Sequence, residues 1–216
     1  MDELDLLKKA WQKDTQSFHQ VTENEIYKMI HKRSSSIVKW ILVISILEFI
    51  FWNVIGIFYF NDNYIKHKYG KDIFEYIIEV NTIYNTINYT VVLVFIYLFY
   101  KNYRSISTTT STKKLMNDIL KTRKTVIYYV WYNILFFIIG SLAVFFVRLN
   151  YESKFTALLK KIHGENGTLL LLETIGKVLL VLLPIALAIW LFYKLIYGIL
   201  LKKLNRNYKE LEKIEL

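Results

Sequence analysis

The chain has 216 residues, 54% of them hydrophobic and 17% aromatic, and a formal net charge of +10. It has no cysteine, which excludes disulfides, a thiolate metal site and a cysteine nucleophile. Seven glycines and one proline leave little room for a phosphate cradle, and no G-x-x-x-x-G-K-[ST], G-x-G-x-x-G or G-x-S-x-G pattern occurs.

Residues 1–36 form a polar arm. Met1 to Asn24 has no apolar core or cleavage site, so no signal peptide is expected, and the first apolar run should act as an uncleaved insertion signal. In DELDLLKKAWQK, Leu4, Leu7 and Trp11 recur at helical spacing, with acids first and lysines after, as a helix dipole favours. Thr22-Glu23-Asn24-Glu25 matches a capping box and predicts a helix start, after which Ile26, Met29 and Ile30 make one apolar face. These six apolar residues are candidate contacts for a cytosolic partner. The alternative, an amphipathic stretch lying on the membrane or on its own bundle, is preferred because such helices need no partner.

Four apolar stretches follow, at 37–60, 83–100, 125–147 and 179–201. A bilayer core of about 30 Å needs roughly 20 apolar helical residues, and these runs are too long and too continuous for barrel strands. The expected fold is all-α, an integral membrane four-helix bundle with amphipathic cytoplasmic helices. The first run contains Lys39 and Glu48; the second and third are uncharged; the fourth holds Lys194 near one end. Glu75 and Glu79 precede the second run as like charges that repel, and Asn81, Asn85 and Asn88 stripe one of its faces. Such a stripe lines a hydrated crevice or, more often, a helix–helix seam. Glu173 and Lys177 share a face at the outer end of the fourth run, where an interfacial ion pair accounts for them.

Lys and Arg concentrate in the arm, in the connection 101–124 and in the tail 202–216, which predicts that both termini and this middle loop are cytoplasmic. Trp40, Tyr100, Tyr103, Tyr128, Tyr129, Tyr193 and Tyr197 fall near the same face, as an interfacial belt would. The middle connection reads as a polar linker, SISTTTST, then a helix capped by Ser111 or Thr112 with Leu115, Ile119 and Leu120 inward. In the tail, Leu204, Tyr208, Leu211 and Ile214 recur at helical spacing. The outer loops are short, with turn-formers at Asn61-Asp62-Asn63 and Gly70 and a break at HGENG, and neither can hold a domain. The basic balance would suit nucleic acid, but four spans make anionic lipid headgroups the simpler partner.

Glu48 lies on the order of 16 Å into its span at 1.5 Å per residue, near the midplane. A carboxyl there must be protonated or paired, and Asn133 and Asn88 are candidate partners. One reading is a proton- or cation-responsive site. The other, preferred because proton relays use chains of such groups, is an interhelical hydrogen bond that fixes packing. His19 and His31 are expected inside and His67 and His163 outside, so no four-histidine metal site forms, and no cofactor is expected.

MDELDLLKKAWQK, IYKMIHKRSSSIVKWI and KLIYGILLKKLNRNYKELEKIE together resemble an uncharacterised family of small four-span inner-membrane proteins of Bacteroidetes, particularly flavobacteria. Members are sometimes labelled β-carotene monooxygenases, a label the histidine topology opposes. The resemblance also implies an association with alternative sigma factors, hence a membrane regulator whose cytoplasmic arm sequesters a transcription factor. Three functions were weighed: a non-enzymatic regulator or assembly subunit acting through the arm, ranked first; a small transporter or channel subunit using Glu48; and a lipid-acting enzyme, for which no polar constellation is evident. No G-x-x-x-G seam argues for oligomers, and the oligomeric state is left open.

Overall fold

The computed structural model describes residues 22–59, 71–151 and 167–215, and every structural statement below concerns these. They fold into helices α1 (Glu23–Tyr59), α2 (Lys71–Thr108), α3 (Thr112–Tyr151) and α4 (Gly167–Glu215). Each is long and apolar enough to cross a membrane. The protein is an all-α membrane-spanning bundle.

The start of α1 is the capping box. The Thr22 N–H donates to Glu25 Oε2 at 2.9 Å, and the Glu25 N–H is 3.4 Å from the Thr22 hydroxyl, which accepts from it. These bonds serve backbone donors that have no partner inside the first helical turn. Glu25 is thereby held below the ordinary carboxylate range, chiefly by the Thr22 backbone N–H and then by its hydroxyl.

The amphipathic segments expected from Thr22 onward, in the middle connection and in the tail are continuous with the spans. Ser34-Ser35-Ser36, a weak helix-forming run, does not interrupt α1, because tertiary contacts outweigh propensity there. Ser34 is buried and its hydroxyl accepts from Asn207 Nδ2 at 2.9 Å. Likewise the linker SISTTTST shrinks to Thr109, Thr110 and Ser111, since α2 runs to Thr108 and α3 starts at Thr112. The Leu115 N–H donates to the Ser111 carbonyl at 2.9 Å, which fixes that start.

The helices alternate in direction, each packed on its sequence neighbour, and α1 closes the ring against α4. Burial is concentrated toward the end that carries the α2–α3 turn, called here the basic end. Ile41, Ile106, Leu115, Ile119, Leu204 and Leu211 are fully buried there. Polar cross-links tie the same end together. Ser105 donates to Asp118 Oδ2 at 2.6 Å, Arg123 Nη1 to Asn205 Oδ1 at 2.7 Å, and Tyr27 to the Thr109 carbonyl at 3.2 Å. His31 Nε2 lies 2.7 Å from the Ile106 carbonyl.

The mid-helix surfaces are apolar all round. Leu47, Ile50, Leu93, Leu135, Ile139, Leu180 and Leu183 are exposed, as side chains facing lipid are. Trp40, Tyr100 and Tyr128 are also exposed, as a belt requires. Tyr129, Tyr193 and Tyr197 are not part of that belt. They are buried, for a reason that defines the site.

Candidate functional site

Glu48 sits in the second half of α1, and three phenols converge on its carboxyl. Tyr129 donates to Oε2 at 3.0 Å, Tyr197 donates to the same oxygen at 3.2 Å, and Tyr193 donates to Oε1. Tyr193 and Tyr197 are one turn apart on α4 and their rings stack at 5.9 Å, so both point at the same place. Tyr129 of α3 meets each of them edge-on. One carboxyl thus joins α1 to both α3 and α4. No Lys or Arg among the described residues pairs with Glu48; the Lys194 ammonium on the same helix as Tyr193 lies 4.6 Å over the Trp190 ring. Hydrogen bonds alone satisfy the carboxyl.

This layer is the floor of a crevice of about 710 Å³ whose lining residues extend from it away from the basic end. Trp52, Asn53 and Gly56 line it from α1, Asn81, Tyr84, Asn85 and Asn88 from α2, and Asn133 and Phe136 from α3. Helix α4 contributes only Ile189 and Tyr193. Toward the basic end the crevice stops against fully buried Ile41, Phe99 and Val126. Phe95 and Phe99 pack edge-on to Tyr129 at 5.4 and 5.5 Å, completing that barrier.

The amides have a defined polarity. Asn53 Nδ2 donates to the Phe49 carbonyl at 2.7 Å and Asn133 Nδ2 to the Tyr129 carbonyl at 2.8 Å. A carbonyl acceptor requires the NH₂ side of each amide, so each side-chain oxygen is left without a donor among the described residues. Asn88 Oδ1 accepts from Tyr132 at 3.2 Å. The crevice therefore offers acceptor oxygens from α1 and α3 above a carboxyl floor, within an aromatic frame.

Glu48, Asn88 and Asn133 thus share one cavity. The expected direct partnership is corrected, however, since neither asparagine bonds to Glu48. Asn133 and Asn88 are engaged by backbone and by Tyr132, and the long phenols reach the carboxyl instead. The sequence signal that was available is the pair Tyr193 and Tyr197, four residues apart in a span, with Tyr129 at a similar depth. Placing those three in the interfacial belt hid it. The stripe Asn81–Asn85–Asn88 lines the crevice rather than forming only a seam.

The remaining candidates lie elsewhere. Lys177 Nζ and Glu173 Oε1 are 2.6 Å apart, an exposed pair outside the crevice, where ion pairs contribute little. In the arm, Ile30 is buried in the bundle core and Ile26 packs against it, whereas Met29 is exposed. Leu4, Leu7 and Trp11 lie outside the described residues, as do His19, His67 and His163. Among the described residues no group of three or more His, Asp or Glu side chains is placed to hold a metal ion.

A family model described as a domain of unknown function, DUF8845, matches residues 24–216. The chain belongs to this DUF8845 family. The matched region contains the whole DUF8845 bundle described above, from α1 to α4, and excludes most of the arm that precedes it. No curated protein and no solved structure matches the chain.

Proposed function

We infer that this DUF8845 protein is a non-enzymatic membrane regulator of the inner membrane that receives a small ligand in the Glu48 crevice from the outer side. The clustering of Lys and Arg at the basic end supports a cytoplasmic position for both termini and the α2–α3 turn. The crevice then faces outward. A hydrogen-bond-donating or positively charged group complements its carboxyl and the unpaired oxygens of Asn53 and Asn133.

One observation carries this reading: the carboxyl at the floor of the crevice is also the tie between α1 and the α3–α4 pair. A ligand that takes Glu48 competes with three phenols and so alters how α1 is held. The rest of α1 leads directly to the basic end, where it contacts α4 through Ser34–Asn207 and through Arg33 and Glu210, 3.9 Å apart. Residues 1–21 precede α1 in the chain. Among the apolar arm residues that precede the described region, Leu4, Leu7 and Trp11 are the proposed contacts.

A transporter subunit is the second reading, favoured by the mid-membrane carboxyl at the bottom of a one-sided opening. It differs in requiring a second state open to the basic end. Copurification of partners from native membranes tests the first reading. Substituting Leu4, Leu7 and Trp11 by Ser should abolish partner recovery, and Glu48→Gln should change recovery while leaving the protein inserted. Unchanged recovery with both variants rejects the regulator. Ion or solute flux into vesicles that depends on Glu48 replaces it with the transporter.

A further inference from the structure

The crevice is unevenly walled. Between α1 and α2 it is closed by Phe49 against Tyr89, edge-on at 5.7 Å. Between α2 and α3 it is closed by the Tyr84 hydroxyl on the Phe136 carbonyl at 2.7 Å, by their rings stacked at 4.0 Å, and by Tyr132 on Asn88. Between α1 and α4 the cross-links are Arg33–Glu210, Ser34–Asn207 and the tyrosines on Glu48. All of these lie at or below the floor. Outward of Tyr193 no hydrogen bond or ring contact joins α1 to α4 among the described residues. Pro184 sits within α4 in this stretch, and Val181, Leu183 and Leu187 around it are exposed. On α1, Trp52 lines the cavity while remaining half exposed, and a side chain added at Gly56 would meet open space. This gap in the cross-links lies along the apolar spans, so the α1–α4 seam faces lipid.

We propose that the Glu48 crevice takes an amphiphilic monocation, a long-chain ammonium compound that enters sideways from the outer leaflet between α1 and α4. This rests on the functional reading above and specifies its ligand. The headgroup is selected by the carboxyl floor, by the donor-free oxygens of Asn53 and Asn133, and by the Trp52 and Tyr89 rings that line the cavity, since a cation favours aromatic surroundings. An anionic headgroup would meet Glu48 with no neutralising base nearby. The tail remains in the gap against exposed apolar side chains, so the crevice need not enclose it, and partitioning into the bilayer concentrates the ligand at the opening.

The test is saturation binding of radiolabelled dodecyltrimethylammonium to the full chain in nanodiscs of uncharged lipid, with empty nanodiscs subtracted. Tetramethylammonium and dodecyl sulfate serve as competitors. Saturable binding is expected, with tetramethylammonium competing about tenfold or more weakly because it lacks the partitioning tail, and dodecyl sulfate not competing. Glu48→Gln should weaken binding about tenfold or more by removing the acidic group with which the ammonium would pair. Gly56→Phe, at a cavity-lining position where an added Cβ meets nothing within 4 Å, should slow association while the protein keeps its thermal stability.

Three outcomes overturn the proposal, and they differ in what they spare. Equal competition by tetramethylammonium, with binding still dependent on Glu48, rejects entry from lipid but leaves a cation site open to water. Competition by dodecyl sulfate equal to that of the ammonium rejects charge selection and leaves only an apolar groove. No saturable binding to wild-type protein that folds normally rejects both this ligand class and the cation-site reading beneath it.

Discussion

The Tyr84 hydroxyl reaches the Phe136 carbonyl at 2.7 Å because Gly140, one turn further along α3, presents no side chain. A Cβ built on Gly140 would overlap that hydroxyl and lie 2.8 Å from the ring carbon bearing it. The glycine is needed for space and not for an unusual backbone conformation. It lets α2 and α3 close one wall of the crevice.

Gly140→Ala should therefore expel Tyr84 and cost about 1–3 kcal/mol, the usual penalty for overpacking. Tyr84→Leu in the same background should recover part of the loss by removing the ring. Unfolding in mixed detergent micelles measures both. Wild-type stability for the alanine variant would contradict the packing account.

The tie at Glu48 predicts a graded series. Each of Tyr129→Phe, Tyr193→Phe and Tyr197→Phe removes one donor and should cost about 0.5–2 kcal/mol, the range for side-chain hydrogen bonds within membranes. Glu48→Ala leaves three hydroxyls without their acceptor and should exceed any of them. The tyrosine variants should be non-additive with one another in unfolding experiments, since they share one carboxyl.

Ser34 and Asn207 make an opposite-signed test. Asn207 is fully buried, donates to Ser34, and leaves its own oxygen without a partner. Ser34→Ala orphans the amide nitrogen too and should cost about 1–3 kcal/mol. Adding Asn207→Leu should restore stability toward wild type, because removing both polar partners is close to neutral. A double variant less stable than Ser34→Ala would show that the pair fixes α1 on α4 in some other way.

The Thr22–Glu25 cap carries a pH dependence. Glu25 titrates below the ordinary carboxylate value in the folded chain, so its contribution is complete above that ordinary value. It is lost as pH falls through the lower folded value. NMR titration should show the depressed Glu25 value rising in Thr22→Val, and amide exchange at the start of α1 should accelerate in the same acid window. A Glu25 titration unaffected by Thr22→Val would remove the hydroxyl from the cap.

The cysteine-free chain also permits a direct topology measurement. Single cysteines at Lys114 and Thr168 lie at opposite ends of the bundle, and both positions are exposed or partly so. In intact cells, Thr168→Cys should react with an impermeant maleimide and Lys114→Cys only after permeabilisation. Asn85→Cys, within the crevice, should follow Thr168→Cys, and labelling from the Lys114 side would reverse the orientation.

Span number, helix class and the cap at Thr22 were legible in the sequence because they depend on local quantities: run length, hydropathy and capping chemistry. So was the depth of Glu48, which needs only the helical rise. Its partners were not legible. Polarity alone points to the asparagines, yet the phenols of Tyr129, Tyr193 and Tyr197 have the reach to cross the bundle. The same residues also fitted an aromatic belt, and only their burial separates the two roles.

Composition and periodicity were enough for a four-span helical membrane protein with a deep carboxyl and a basic end, since each of these follows from residues adjacent in the chain. The packing of α1 against α3 and α4 was needed to turn that carboxyl into a shared tie. It also gathered the asparagine stripe into a crevice and left the α1–α4 seam above Glu48 without a polar or ring cross-link among the described residues. Those features depend on which faces of distant helices meet, and no local pattern encodes that relative rotation.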